Sequence, residues 1–172
     1  MRILIVYTGI LQKSGGMQHA CCEMANSFDA RGDEVAIACG GGDSKTSFFS
    51  LHPDIKIYSL ISDSPVLDPD KAVIGRHISL LAKLIRESLR AFSKKKFHAW
   101  NEKCKCRIVR PYLKYAFVDF KPDVVIAYNS DAVYYAVEAM SEEIPLIGTN
   151  HVELKRAFAE MGESEKKSLS FC

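Results

Sequence analysis

The chain has 172 residues, close to half of them apolar, and a formal net charge of +2 at pH 7. That is one domain of ordinary size with material for a real core, and its charge balance is too even to imply a nucleic-acid partner. No apolar run approaches the ~18 residues of a membrane span, and no leader with a basic start, an apolar middle and a small-residue cleavage site opens the sequence, so a cytoplasmic protein is expected.

Arg2 to Thr8 (RILIVYT) reads as a buried strand, and Gly15-Gly16 sits in the loop after it. Met17, Ala20, Cys21, Met24, Ala25 and Phe28 then fall at i, i+3, i+4, i+7, i+8 and i+11, one apolar stripe on a helix whose wet face takes Gln18, Glu23, Asn26 and Ser27. Gly32 is the left-handed residue expected to stop that helix, and Val35 to Ala38 is a second buried strand. Strand, glycine loop, helix and parallel strand make one βαβ unit, with the helix N-terminus aimed above the sheet.

The six cysteines do not suggest a metal site. Cys21 and Cys22 are adjacent on the first helix, Cys39 closes a strand and Cys172 is terminal. Cys104 and Cys106 have no Cys or His pair at zinc spacing near them, so reduced thiols are expected.

After the second strand, Gly40 to Thr46 (GGGDSKT) brushes against a phosphate-binding P-loop but has Ser44 where that motif needs glycine. Thr8 to Gly16 does not spell G-x-G-x-x-G, which weakens a dinucleotide reading. Ile55 to Ser59 alternates as a third, outer strand. In the loop Ser62 to Asp70, Asp68-Pro69-Asp70 reads as a turn with a helix cap rather than a metal motif.

From Gly75 to Phe120 the pattern is helical. Ile78, Leu81, Ile85, Leu89 and Phe92 form one apolar face, and a second helix carries Trp100, Cys104, Ile108 and Tyr115, with Pro111 expected to kink or break it. Basic residues recur from Lys83 to Lys114, opposed only by Glu87 and Glu102. This segment reads either as a solvated polar face or as a surface for anionic lipid or a lipid-linked acceptor, with Lys94, Lys95, Lys96, Lys103, Lys105 and Arg107 as its charges.

Lys121-Pro122-Asp123 ends the helices and Val124 to Ala127 gives a fourth buried strand. Tyr128 to Asp131 caps a helix running to about Met140, Pro145 to Thr149 is a fifth strand, and Asn150-His151 lies just beyond it. The expected fold is α/β, a Rossmann-like doubly wound parallel sheet of about five strands in the order 3-2-1-4-5 with helices on both faces. The winding reverses between strands one and four, and ligands bind at such a point. That crevice would collect Gly15, Gly16, Asn129, Ser130, Asn150 and His151, with Gly16 letting backbone N–H groups approach a phosphate or a developing anion.

These blocks resemble the opening of the family 4 glycosyltransferases, enzymes of the two-domain GT-B architecture. The resemblance lies in RILIVYT, in Gly15-Gly16, in Arg31-Gly32-Asp33-Glu34-Val35 with Asp33 where His is usual, in KPDVVIAYNS (Lys121 to Ser130) and in IPLIGTNH (Ile144 to His151). It covers residues 1–60 and 120–155 and is poor between them. The resemblance implies a sugar transferred from a nucleotide-sugar donor to a glycan or lipid-linked acceptor in cell-surface polysaccharide synthesis, without cofactor or metal. His151 would be the catalytic residue beside the transferring sugar, and Gly15, Gly16, Asn129, Ser130 and Asn150 would contact substrate.

Members of that family continue into a second Rossmann-like domain whose Glu-x7-Glu pair holds the nucleotide-sugar, and no two Glu residues are eight apart here. The chain is therefore expected to be the N-terminal, acceptor-side domain, with the C-terminal donor-binding domain as its missing partner, in the cytoplasm or at the inner face of the membrane. Two alternatives stay open: a non-catalytic acceptor- or membrane-binding subunit of a split transferase, and a generic nucleotide-binding α/β module.

Overall fold

The computed structural model of the chain describes residues 1–40, 47–60, 94–141 and 143–149. β1, Arg2–Tyr7, is buried from Ile3 to Tyr7, as a strand must be when helices cover both faces of a parallel sheet. After it come α1 (Gly16–Asp29), β2 (Glu34–Cys39), β3 (Lys56–Ser59), α2 (Lys94–Phe120), β4 (Val124–Ala127), α3 (Ser130–Ala139) and β5 (Leu146–Gly148). Every strand pairing is parallel, and the five-stranded sheet has the order β3-β2-β1-β4-β5. This is the doubly wound arrangement that right-handed connections dictate.

Ile3 lies between Val35 and Val124, and Val6 between Ala38 and Ala127. Arg2 N donates to Asp123 Oδ2 at 2.6 Å and Asp123 N to Arg2 O at 2.9 Å, which locks the β1/β4 register at its starting edge. A one-residue slip would turn every core side chain to the opposite face.

The sheet is packed on both faces. On the α1 side Ile3, Ile5, Tyr7, Ile37 and Tyr128 lie against Cys21, Cys22 and Ala25 of the helix. On the other side Leu4, Val6, Ala36, Ala38 and Val125 lie against Leu113 and Phe120 of α2 and Tyr135 of α3. Each large aliphatic side chain buried this way contributes roughly 1.5–3 kcal/mol.

Helix ends follow local chemistry. Beyond α1 the chain reverses with Gly32 at φ +85°, and Gly32 N and Asp33 N donate to Asp29 O and Phe28 O at 2.8 and 3.2 Å. A side chain is costly in that conformation, so glycine belongs there. Past α2 the same job falls to Lys121 at φ 50°, whose N–H donates to Phe117 O at 2.9 Å. Pro122 follows and disfavours the right-handed helix at Lys121.

Three expectations are corrected. Pro111 does not break the second helix, for α2 runs 27 residues through it. Pro111 and Arg107 are both on the exposed side, so the carbonyl deprived of its N–H partner can be hydrated, while Cys106, Val109, Leu113 and Ala116 hold the helix to the sheet from both sides of the proline. The buried face of α2 is that row, ending at Phe120, and not Ile108 and Tyr115; Tyr115 is 63% exposed. Asn26, expected on a wet face of α1, is half-buried. Its side chain donates to Ser50 O and accepts from His52 N, both at 2.9 Å, and so ties the segment after β2 to the helix.

β3 is the outer strand expected, with Tyr58 buried on the α2 side and Ile55, just before the strand, buried on the α1 side. Asp119 at the end of α2 accepts a hydrogen bond from Tyr58 Oη at 2.6 Å and pairs with Lys56 Nζ. The loop Gly41 to Thr46, the turn at Asp68 to Asp70, the helix carrying Ile78 to Phe92 and the helix Glu153 to Met161 lie outside the described residues, as do the side chains of Trp100 and Cys104.

Candidate functional site at the sheet reversal

Continuing the β1/β4 register by two residues sets Thr8 opposite Asn129 at the carboxyl edge, where the winding reverses. The Asn129 amide uses both of its ends. Nδ2 donates to Thr8 Oγ1 at 2.8 Å, and Oδ1 accepts from Ala132 N at 2.8 Å as the N-cap of α3. Ser130 is the first residue of α3 and half-buried, and Asp131 places a carboxylate in its first turn. The positive end of the α3 dipole is thus already satisfied.

α1 is finished differently. Gly15 occupies its N-cap with no side chain to accept, and no acidic residue lies in the first turn. The first hydrogen bond along the helix is His19 N to Gly15 O at 3.0 Å, leaving the N–H groups of Gly16, Met17 and Gln18 ahead of it. Of the two helix N-termini flanking the reversal, α1 is the one whose donors and partial positive charge can take an external anion.

Gly16 is exposed, does not have a left-handed backbone, and a Cβ built on it would meet nothing within 4 Å. Neither the turn nor packing demands glycine there. Gly40 is the contrary case, since a Cβ on it would collide with the backbone carbonyl of Thr8; its N–H donates to Gly9 O at 2.9 Å. This close approach joins the ends of β1 and β2 behind the crevice.

The connection between β1 and α1 is held at several points. Leu11 is fully buried, its carbonyl accepts from Phe48 N at 2.9 Å, and Gln18 Nε2 reaches back to Ile10 O at 3.4 Å. Beneath it Tyr7 and Tyr128 meet edge to face, ring centres 5.9 Å apart. Burial pushes both phenols above their ordinary range, so they form a neutral floor. Burial likewise pushes the Cys21 thiol well up, and the Cys22 thiol up against a partly offsetting hydrogen bond with Ser47. Neither is suited to act as a thiolate nucleophile. Among the described residues no three His, Cys, Asp or Glu gather where they could hold a metal ion.

Of the residues singled out from sequence, Gly15, Gly16, Asn129 and Ser130 stand at the carboxyl edge beside the reversal. Asn150 and His151 lie outside the described residues. The strand before them, β5, ends on this same edge, with Thr149 N donating to Ala127 O at 2.8 Å. Asn129 is a positioning residue as much as a binding one, because both ends of its amide are engaged. Thr8 and Gln18 were missed. Thr8 was within reach of the sequence, since laying ILIVYT over VVIAYN pairs it with Asn129.

No protein-family model matches the chain, and no curated protein matches it.

Proposed function

We propose that this chain is the acceptor-side domain of a two-domain glycosyltransferase that moves a sugar from a nucleotide-sugar to a glycan or lipid-linked acceptor. The observation that carries this reading is where the resembling blocks fall. RILIVYT is β1 and Thr8, Gly15-Gly16 opens α1, Arg31 to Val35 turns into β2, and Lys121 to Ser130 is β4 with the cap of α3. Thr8, Gly15-Gly16 and Asn129-Ser130, far apart in sequence, thereby border one carboxyl-edge crevice, while Arg31 to Val35 lies at the opposite edge of the sheet. A Rossmann-like fold hosts many chemistries, so the fold itself adds little weight.

In this reading the uncapped N-terminus of α1 offers fixed backbone donors to a phosphate or to negative charge developing during transfer, and Gly16 keeps the approach clear of side chains. Asn129, fixed by Thr8 and by α3, holds the opposite lip. His151 has the role that the resemblance assigns, hydrogen bonding beside the transferring sugar. The donor is held by a second domain, and transfer needs both walls of the cleft.

The test is sugar transfer over a panel of nucleotide-sugars. The 172-residue chain alone should give none, and turnover by it would overturn the two-domain assignment. In the enzyme that carries both domains, His151→Ala should lower turnover with little change in melting temperature. A generic nucleotide-binding module is the second reading, favoured by the same uncapped helix at the reversal. Calorimetry separates them: saturable binding of free nucleoside diphosphates by this chain, indifferent to any sugar, selects the module.

A further inference from the structure

We propose that the outward face of α2 docks on an anionic lipid surface. Lys103, Arg107, Arg110 and Lys114 recur at i, i+4, i+7 and i+11, and all four are exposed. They form one stripe spanning about 16 Å of helix axis at ~1.5 Å per residue, roughly a third of a turn around the helix from the buried row of Cys106 to Phe120. The sequence has no acidic residue from Lys103 to Val118. The ion pairs among the described residues engage other side chains. With a net charge of only +2 for the whole chain, this stripe is a local concentration and not a share of a generally basic surface.

What selects lipid over another polyanion is the apolar company the charges keep. Val118, beside the C-terminal end of the stripe, is 72% exposed. Water penalises such a group and a headgroup layer accepts it, while long Lys and Arg stems lie along the boundary with their charges at the phosphates. A nucleic acid would use the cations and leave Val118 without a role. The stripe belongs to a helix firmly packed on the sheet, so docking is adsorption by a rigid face and not insertion of a helix; among the described residues no helix is long and apolar enough to cross a membrane.

The inference stands apart from the sugar-transfer reading and can fail without it. The full chain is sedimented with vesicles of phosphatidylcholine alone and of phosphatidylcholine mixed with phosphatidylglycerol, at low and high salt. Binding should require the anionic lipid and weaken as salt shortens the Debye length. Arg107→Gln with Arg110→Gln should reduce affinity roughly 25-fold, at about fivefold per basic charge near such a surface. Arg31→Gln, an exposed charge elsewhere, should leave it unchanged, and circular dichroism should report the parent fold for every variant. Equal binding to both vesicles, equal loss with Arg31→Gln, or tighter binding to an RNA oligonucleotide than to the anionic vesicle would each overturn the proposal.

Discussion

Asn129 and Thr8 join, side chain to side chain at 2.8 Å, the tips of the two strands between which the sheet reverses its winding. The same Asn129 caps α3, so one amide fixes the mouth of the crevice and the helix behind it. Asn129→Ala is expected to lose about 2 kcal/mol, the sum of a helix cap and one net hydrogen bond. Thr8→Val, which spares the cap, should lose about 1 kcal/mol. Urea unfolding of both variants checks this, and equal losses would remove the cap from the account.

Gly16 separates binding from stability. With open space where a side chain would stand and no left-handed backbone, Gly16→Ala should leave the melting temperature unchanged or raise it slightly, since alanine is the better helix former by up to ~1 kcal/mol. Gly16→Val should also fold, yet close the approach to the first N–H groups of α1. In the enzyme that carries both domains, sugar-transfer turnover should then fall while thermal stability holds. Undiminished turnover in the valine variant would take the glycine loop out of the mechanism.

Asp119 supplies a pH dependence with a definite sign. Hydrogen bonds from Lys56 and then from Tyr58 hold its carboxyl below the usual range. A carboxyl with a depressed folded pKa contributes stability above its unfolded value, about 3.9, and loses that contribution as pH falls through the folded one. Asp119→Asn should therefore be less stable than the parent at neutral pH and converge with it in acid. Urea midpoints across a pH series read the difference directly; parallel curves would mean that the pairing with Lys56 contributes nothing.

Pro111 interrupts the hydrogen-bond ladder of α2 without ending the helix. Restoring the missing donor with Pro111→Ala should raise stability, by as much as ~3 kcal/mol if the helix loses no other contact. A lower melting temperature would show that the proline's shape is needed where α2 meets the sheet.

Most of the frame was legible because parallel strands buried on both faces write themselves as short apolar runs. β1, β2 and β4 each fall within such a run, and right-handed connections leave 3-2-1-4-5 as the natural order. Faces were harder to read. The stripe through Ile108 and Tyr115 weighs side chains by size, whereas the sheet selected Cys106, Val109 and Ala116, and a proline was given more authority over α2 than packing allows. At the site, Gly15, Gly16, Asn129 and Ser130 follow from the topology alone. The Thr8 partnership needs the two strand runs laid against each other, a comparison that composition and periodicity alone do not make. Asn26 escaped because its partners, Ser50 and His52, lie in a connection with no periodic signal.

β3 bounds the described sheet on one side, and it is only four residues long, Lys56–Ser59. An outer strand is a template on which another chain can add a strand of its own, and natural sheets guard against this with brevity and with charge turned inward. Lys56 provides both the charge and its anchor, because it shares the face of Tyr58 and is held by Asp119. A foreign strand laid against β3 would crowd a cation whose counter-ion sits on α2. The joint that fastens helix to sheet thus also discourages the protein from polymerising through its own backbone.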